Sequence, residues 1–197
     1  MERQFLFINN NKWYNRFAIA MNVCEPGQDR NVAALSIMFM CGGFLNYMEN
    51  DEKYIKEAIR EAKLAAIEDE VPIGCIIVKN GEIIAKAHNQ RDKSNNPLGH
   101  AETLAIKKAS EVLGDWQLVG CDLYVTIEPC LMCAGAIIQS RIDRVVYGAP
   151  DIKGGAFGSS LNVLDAKNIN HRPEIISGVL ADECSQIIKD YFKSKRS

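Results

Sequence analysis

The sequence predicts an α/β domain built in layers, with a sheet that is at least partly parallel. Two observations carry this. From Met48 onward, segments with helical apolar spacing alternate with short β-branched runs. One pair of such runs is joined by Asn80-Gly81, a hairpin signal, while the other strand-like runs are separated by segments long enough for a helix. No internal repeat is present.

Each element has its own reason. Between Tyr54 and Asp69, apolar Ile55, Ala58, Ile59, Ala62, Ala65 and Ala66 recur on one helical face, with Lys and Glu on the others. In "VPIGCIIVKNGEIIAKAHN" two strands flank Asn80-Gly81, which suits a type I′ turn because both central residues need positive φ. A polar loop, "QRDKSNNPLG", leads to a second helix from about Ala101 to Leu113, whose inner face should be Ala101, Leu104, Ala105, Ala109 and Val112. "CDLYVTI" reads as a strand, Cys130 to Ser140 as a helix and "RVVYGA" as a strand. A Gly-rich loop, "PDIKGGAFGSS", precedes a short strand in "EIISGV" and a closing helix from Ala181 to Lys195.

A chain of 197 residues with 47% hydrophobic content suits one domain with a real core, or one domain plus an appendage. Seven cysteines cannot all pair, which points to a reducing compartment and a cytoplasmic protein. The formal net charge of −2 lacks the footprint of a general nucleic-acid binder. Residues 1–47 differ from the rest, with Asn-rich and turn-rich patches before the apolar run "VAALSIMFMCGGFL". That run falls short of the roughly 20 apolar residues of a membrane helix and contains two glycines. Its lead-in is too long for a signal peptide, and no clear cleavage site follows. Met48 opens "MENDEKYIKEAIREAKLAA", an ordinary protein start, and Gly42-Gly43 is encodable by a purine-rich ribosome-binding sequence. Residues 1–47 are therefore expected to lie outside the fold, as a disordered extension or a mis-set gene start. The domain is expected to occupy 48–197, with no membrane contact.

The chemistry is expected where "PCLMC" places Cys130 and Cys133 at the start of a helix. A zinc site needs a third ligand. Of the three histidines, His88 sits at a strand end and His171 in a loop, whereas His100 opens the second helix in "HAE". Two strand-to-helix junctions on one edge of a sheet bring such helix starts together. One imidazole and two thiolates suit zinc, and helix N-termini favour the thiolate form. Three protein ligands leave a position for water, as catalytic zinc sites do. Glu102, two residues after His100, is placed to shuttle that water's proton. Cys75, Cys121 and Cys184 could close a structural site, but each falls in an apolar context where cysteine behaves as a small hydrophobe. Taken alone, a Cys-x-x-Cys pair is ambiguous between metal, redox and structural roles. His-x-Glu followed by Pro-Cys-x-x-Cys is the pattern of the zinc nucleobase deaminases.

From about Asp51 to Lys195 the sequence resembles a known family. "HAE" and "PCLMC" resemble the cytidine deaminase-like superfamily. "VTIEPCLMCAGAII", "SRIDRVVYGAPDIKGGAFGS", "NVL", "NH" and "GVLADEC" resemble the bacterial tRNA-specific adenosine deaminases, which convert wobble adenosine of an arginine tRNA to inosine. The resemblance implies a three-layer α/β/α cytidine deaminase-like fold with a central mixed sheet of about five strands. It also implies a homodimer, one zinc ion per subunit and binding of the tRNA anticodon loop. By position, His100, Cys130 and Cys133 match the ligands and Glu102 the proton shuttle. Asn89, in "AHN", matches a residue that hydrogen-bonds the target base, and Asp151 an acidic residue near the anticodon loop. Residues 1–47 have no counterpart in the family pattern, and the loop from Gln90 to Gly99 is less family-like.

The expected reaction is attack of an activated water on carbon 6 of adenine, with Glu102 moving protons to N1 and to the departing ammonia. A single-stranded loop delivers its base to a pocket with little stacking lost. Such a contact needs a local basic patch rather than a basic protein. Candidates are Arg141, Arg144 and Lys153 near the site in sequence, and the tail "DYFKSKR" with Lys193, Lys195 and Arg196. Two other readings stand beside this one. A deaminase of a free base or nucleoside (cytosine, guanine, cytidine) would share ligands and shuttle. A non-enzymatic zinc-stabilised module would need a fourth ligand and give Glu102 no role.

Overall fold

The computed structural model describes residues 50–196, and the extension expected at 1–47 lies outside the described residues. The first periodic segment forms helix α1, which runs through 50–67. Ile55, Ala58, Ile59, Ala62 and Ala65 are buried along it, as the spacing requires. The alanines have a second use. Strand β1 (Gly74–Lys79) starts directly against the helix, and a Cβ at Gly74 would collide with the Ala58 carbonyl and the Ala62 amide. Only small residues on both sides allow this approach.

β1 turns into β2 (Glu82–His88) through Asn80 and Gly81, whose φ angles of 52° and 82° are those of a type I′ turn. Helix α2 (Ala101–Leu113), strand β3 (Cys121–Ile127), helix α3 (Leu131–Gln139) and strand β4 (Arg144–Ala149) follow. A 3-10 turn (Val163–Asp165), strand β5 (Glu174–Ser177) and helix α4 (Ala181–Ser194) complete the described residues. The sheet has five strands in the order β2-β1-β3-β4-β5. β1 is antiparallel to β2 and β3, while β3, β4 and β5 run parallel. The mixed five-stranded α/β sheet is the one the sequence predicts.

Side chains alternate across the sheet because the strand period is two. Cys75, Ile77, Leu123, Val125, Val145 and Tyr147 face Ala101, Ala105 and Ala109 of α2 and Ala134 and Ile137 of α3. Ile76, Val78, Tyr124 and Val146 face Tyr54, Ile55 and Ile59 of α1 and Cys184 of α4. Two apolar layers thus lie on opposite faces, and each fully buried Ile, Leu or Val in them contributes about 1.5–3 kcal/mol. α4 comes close enough that a Cβ on Gly148 would strike Cys184.

Two expectations need correction. Val112 is not on the inner face of α2, being 62% exposed. The buried stripe continues four residues from Ala109 to Leu113, which packs on the core, rather than three residues to Val112. Arg144 is not available to a basic patch. It is 3% exposed, with Nη2 bonded to both carboxylate oxygens of Asp51 at 2.6 and 2.5 Å and Nη1 bonded to Asp122 at 3.0 Å. It ties the start of α1 to β4.

Candidate metal centre

Two helices begin on the same edge of the sheet. Cys130, the residue before α3, follows the C-terminal end of β3. His100, the residue before α2, is brought to that edge by the loop after β2, whose ends are joined by Gln90 N–H donating to Gly99 O at 2.9 Å. Both residues have the extended backbone of an N-cap, with φ, ψ of −78°, 151° for His100 and −71°, 172° for Cys130. An N-cap side chain ordinarily accepts from a helix N–H. Neither of these does; they turn toward each other instead.

His100 Nδ1 lies 3.5 Å from Cys133 Sγ and 3.7 Å from Cys130 Sγ. All three ligand atoms fall within 4.8 Å of one another, and among the described residues no other such group of His, Cys, Asp or Glu is found. A tetrahedral zinc ion with Zn–S of about 2.3 Å and Zn–N of about 2.0–2.1 Å sets nitrogen and sulfur about 3.6 Å apart. The spacing and donor types therefore fit zinc. Cys75, Cys121 and Cys184 are fully or almost fully buried in the apolar layers, as their context predicted, and none joins the cluster. Cys133 is buried, while His100 and Cys130 are only partly covered, so the cluster has an open side.

The three groups share protons. The Cys130 thiol is held down to about 4, first by the hydrogen bond from Cys133 and then, against burial, by His100. The same hydrogen bond and burial push Cys133 up, and the contact with Cys130 raises His100. A cation held by these three residues would take them as thiolates and neutral imidazole in place of these protons.

Glu102 lies in the first turn of α2 and is 3% exposed. Burial pushes its carboxyl up to about 7. Its Oε2 has no hydrogen-bond partner among the described residues. A buried oxygen without a partner is costly, so it needs an occupant that the fold itself does not supply.

Asn89 follows β2 and is 4% exposed. Its backbone N–H donates to Ile73 O at 3.0 Å and its Nδ2 to Glu70 Oε2 at 3.0 Å. Asp151 is half-buried, and its Oδ1 accepts from Lys153 N–H at 3.0 Å, closing a turn in the Gly-rich loop. His88 pairs with Glu61 and Glu68, and His171 bonds Ile142 O, so neither belongs to the cluster. In the tail, Lys195 pairs with Asp69 and Tyr191 OH donates to Asp69 O at 2.9 Å.

The sequence reading missed Glu128, two residues before Cys130. It is 3% exposed and accepts three backbone N–H groups, from Phe157 at 2.9 Å, Ser159 at 3.2 Å and Asp151 at 3.2 Å. Ala156 N–H donates to Pro129 O at 2.9 Å, and Cys130 bridges Gly155. The Gly-rich loop is thus fastened behind the segment that delivers Cys130. The available signal was the glycine pair, since a Cβ on Gly155 would strike the Glu128 carboxyl.

Comparison with known proteins finds deaminases. Residues 49–196 match the model of the MafB19-like deaminase family. The chain is 50% identical to the tRNA-specific adenosine deaminase of Bacillus subtilis (strain 168) over 149 residues, 76% of this chain and 92% of that protein. It is 47% identical to the tRNA-specific adenosine deaminase of Aquifex aeolicus (strain VF5) over 146 residues, 74% of this chain and 96% of that protein. A structure solved in a study of A-to-I editing by tRNA:A34 deaminases at the wobble position of transfer RNA superposes with a TM-score of 0.67 at 42% identity, covering 68% of this chain and 98% of that one.

Proposed function

The chain belongs to the MafB19-like deaminases and, within them, to the tRNA-specific adenosine deaminases, and on that premise we propose that it deaminates the wobble adenosine of an arginine tRNA with one zinc ion per subunit. It is a hydrolase: adenosine and water give inosine and ammonia. The observation that carries the detailed reading is the cluster of His100, Cys130 and Cys133 beside a buried Glu102 whose Oε2 is unpartnered among the described residues. Zinc held by those three residues supplies Lewis acidity, which lowers the pKa of a water in such sites to about 7.

The chain's own residues do the rest. Glu102 accepts a proton from the attacking water, passes it to N1 of the adenine and hands the next to the leaving ammonia. Its burial serves this role by keeping the carboxyl out of bulk water beside the three ligand residues. Asn89, at the same edge of the sheet, hydrogen-bonds the base. The Gly-rich loop carries Asp151 and Lys153 toward the anticodon loop, and Glu128 keeps that loop against Cys130. Lys193 and Arg196 of the tail, with the exposed Phe192, offer a local basic and aromatic surface. The protein works in the cytoplasm as a homodimer, and residues 48–197 form the deaminase domain. Among the described residues no helix is long and apolar enough to cross a membrane.

The test is turnover of the full chain on an arginine tRNA with adenosine at the wobble position, beside free adenosine, cytosine, cytidine and guanine. Inosine in the tRNA alone is expected. Deamination confined to a free base or nucleoside would keep the chemistry and overturn the tRNA substrate.

A further inference from the structure

Glu70 follows the end of α1 and is 2% exposed. Its Oε2 accepts from Asn89 Nδ2 at 3.0 Å and its Oε1 from the backbone N–H of Lys93 at 2.6 Å. A carboxylate at such depth is expensive, and an amide of the same size would satisfy two neighbours at less cost in desolvation. The two differ in one respect. A carboxylate only accepts, whereas an amide both donates and accepts.

We propose that Glu70 is a positioning residue for the deamination: it fixes which end of the Asn89 amide meets the substrate. The oxygen and nitrogen of an asparagine side chain are alike in size, so an amide in a neutral pocket turns over at little steric cost. Against Glu70 the turned state sets oxygen against oxygen. The Nδ2 end is therefore held toward Glu70, and Oδ1 with the second N–H faces the other way. Glu70 cannot swing to follow, because Lys93 N–H holds its other oxygen. Asn89 is in turn anchored through its backbone to Ile73, and the bond from Gln90 to Gly99 sets it beside the segment that delivers His100. The inference rests on the reading that Asn89 binds the base.

The plain structural alternative is that Glu70 only stitches the loop 90–99 to the end of α1. A double-mutant cycle separates the two. Wild type, Asn89→Ala, Glu70→Gln and the double variant are compared as full chains for kcat/KM on tRNA bearing a wobble adenosine, with zinc content measured in each. Asn89→Ala lowers kcat/KM. Glu70→Gln lowers it by about tenfold to a hundredfold with zinc content unchanged, since the new amide lets Asn89 turn over. In the Asn89→Ala background Glu70→Gln costs less than about twofold. An equal loss in both backgrounds, or no loss from Glu70→Gln, overturns the proposal. Full activity in Asn89→Ala removes Asn89 from the base and overturns that reading, whatever Glu70→Gln does alone. Where a single variant does not fold or is too slow to time, Asn89→Asp with Glu70→Gln carries the test. The reversed N–H···O bond should raise activity above that of Asn89→Asp alone, where two carboxylates face each other; no gain overturns the proposal.

Discussion

Glu128 gives the most direct test of how the Gly-rich loop is held. Replacing it with alanine removes the acceptor for three backbone N–H groups. They are not equivalent. Phe157 is 7% exposed, so its N–H is left buried without a partner, at a cost of about 1–3 kcal/mol. Asp151 and Ser159 are half-buried, and water replaces part of what they lose, so each costs about 0.5–1.5 kcal/mol. The sum is about 2–6 kcal/mol, a large share of the 5–15 kcal/mol typical of a domain. Glu128→Gln keeps one oxygen for Phe157 and Ser159 but sets an N–H against that of Asp151, so it should cost only about 1–3 kcal/mol. Urea unfolding of the metal-loaded protein reads both. With a slope of about 2 kcal/mol/M, the alanine variant's midpoint falls by about 1–3 M and the glutamine variant's by about half as much. A midpoint unchanged in the alanine variant, or equal losses in the two, would show that the loop does not depend on these bonds.

Other consequences follow from the centre itself. Glu102→Gln keeps the shape of the side chain and removes its proton transfer; turnover should fall by about a hundredfold or more while one zinc per chain stays bound, as read by metal analysis. Activity that survived this change would remove Glu102 from the mechanism. Dialysis against a chelator should abolish turnover, and added zinc should restore it and raise the thermal midpoint, because a metal that prefers the assembled cluster to the unfolded chain stabilises the fold. Cys133→Ala should show neither recovery. Removing the tail after Asp190 should weaken tRNA binding more than it changes the rate of a saturated enzyme, measured by titration at moderate salt. It should also cost some stability, because Tyr191 and Lys195 are tied to Asp69.

How much of this was legible in the sequence depends on the range of the interaction. The hairpin, the strands and the later helix starts follow from local rules, and the structure places them within a residue or two of where spacing puts them, while α1 begins four residues before the periodic segment. The clustering of His100, Cys130 and Cys133 was legible because two short motifs each sit at a helix start, and helix starts on one sheet edge converge. Arg144 was misread for the opposite reason. Its charge is cancelled by Asp51, 93 residues away, and no local pattern announces such a partner. Val112 fell within the right stripe by counting in threes, but the helix continues its contact by fours. Glu70 and Glu128 were passed over because each looks like a surface acid in its own neighbourhood. Their partners lie 19 to 31 residues along the chain.

The buried carboxylates divide the labour of the site in a way that their bonding reveals. Asp51 is neutralised by Arg144. Glu70 and Glu128 are buried against N–H donors that reach both of their oxygens, so each is a brace with no unpartnered oxygen. Glu102 alone among these four keeps an oxygen that no described residue bonds, and it keeps it next to His100 and Cys133. A fold that satisfies its other buried acids so fully has no structural reason to leave this one open. In the proposed mechanism that open oxygen is where the reacting water and the base complete the bonding, while Glu70 holds Asn89 and Glu128 holds the Gly-rich loop.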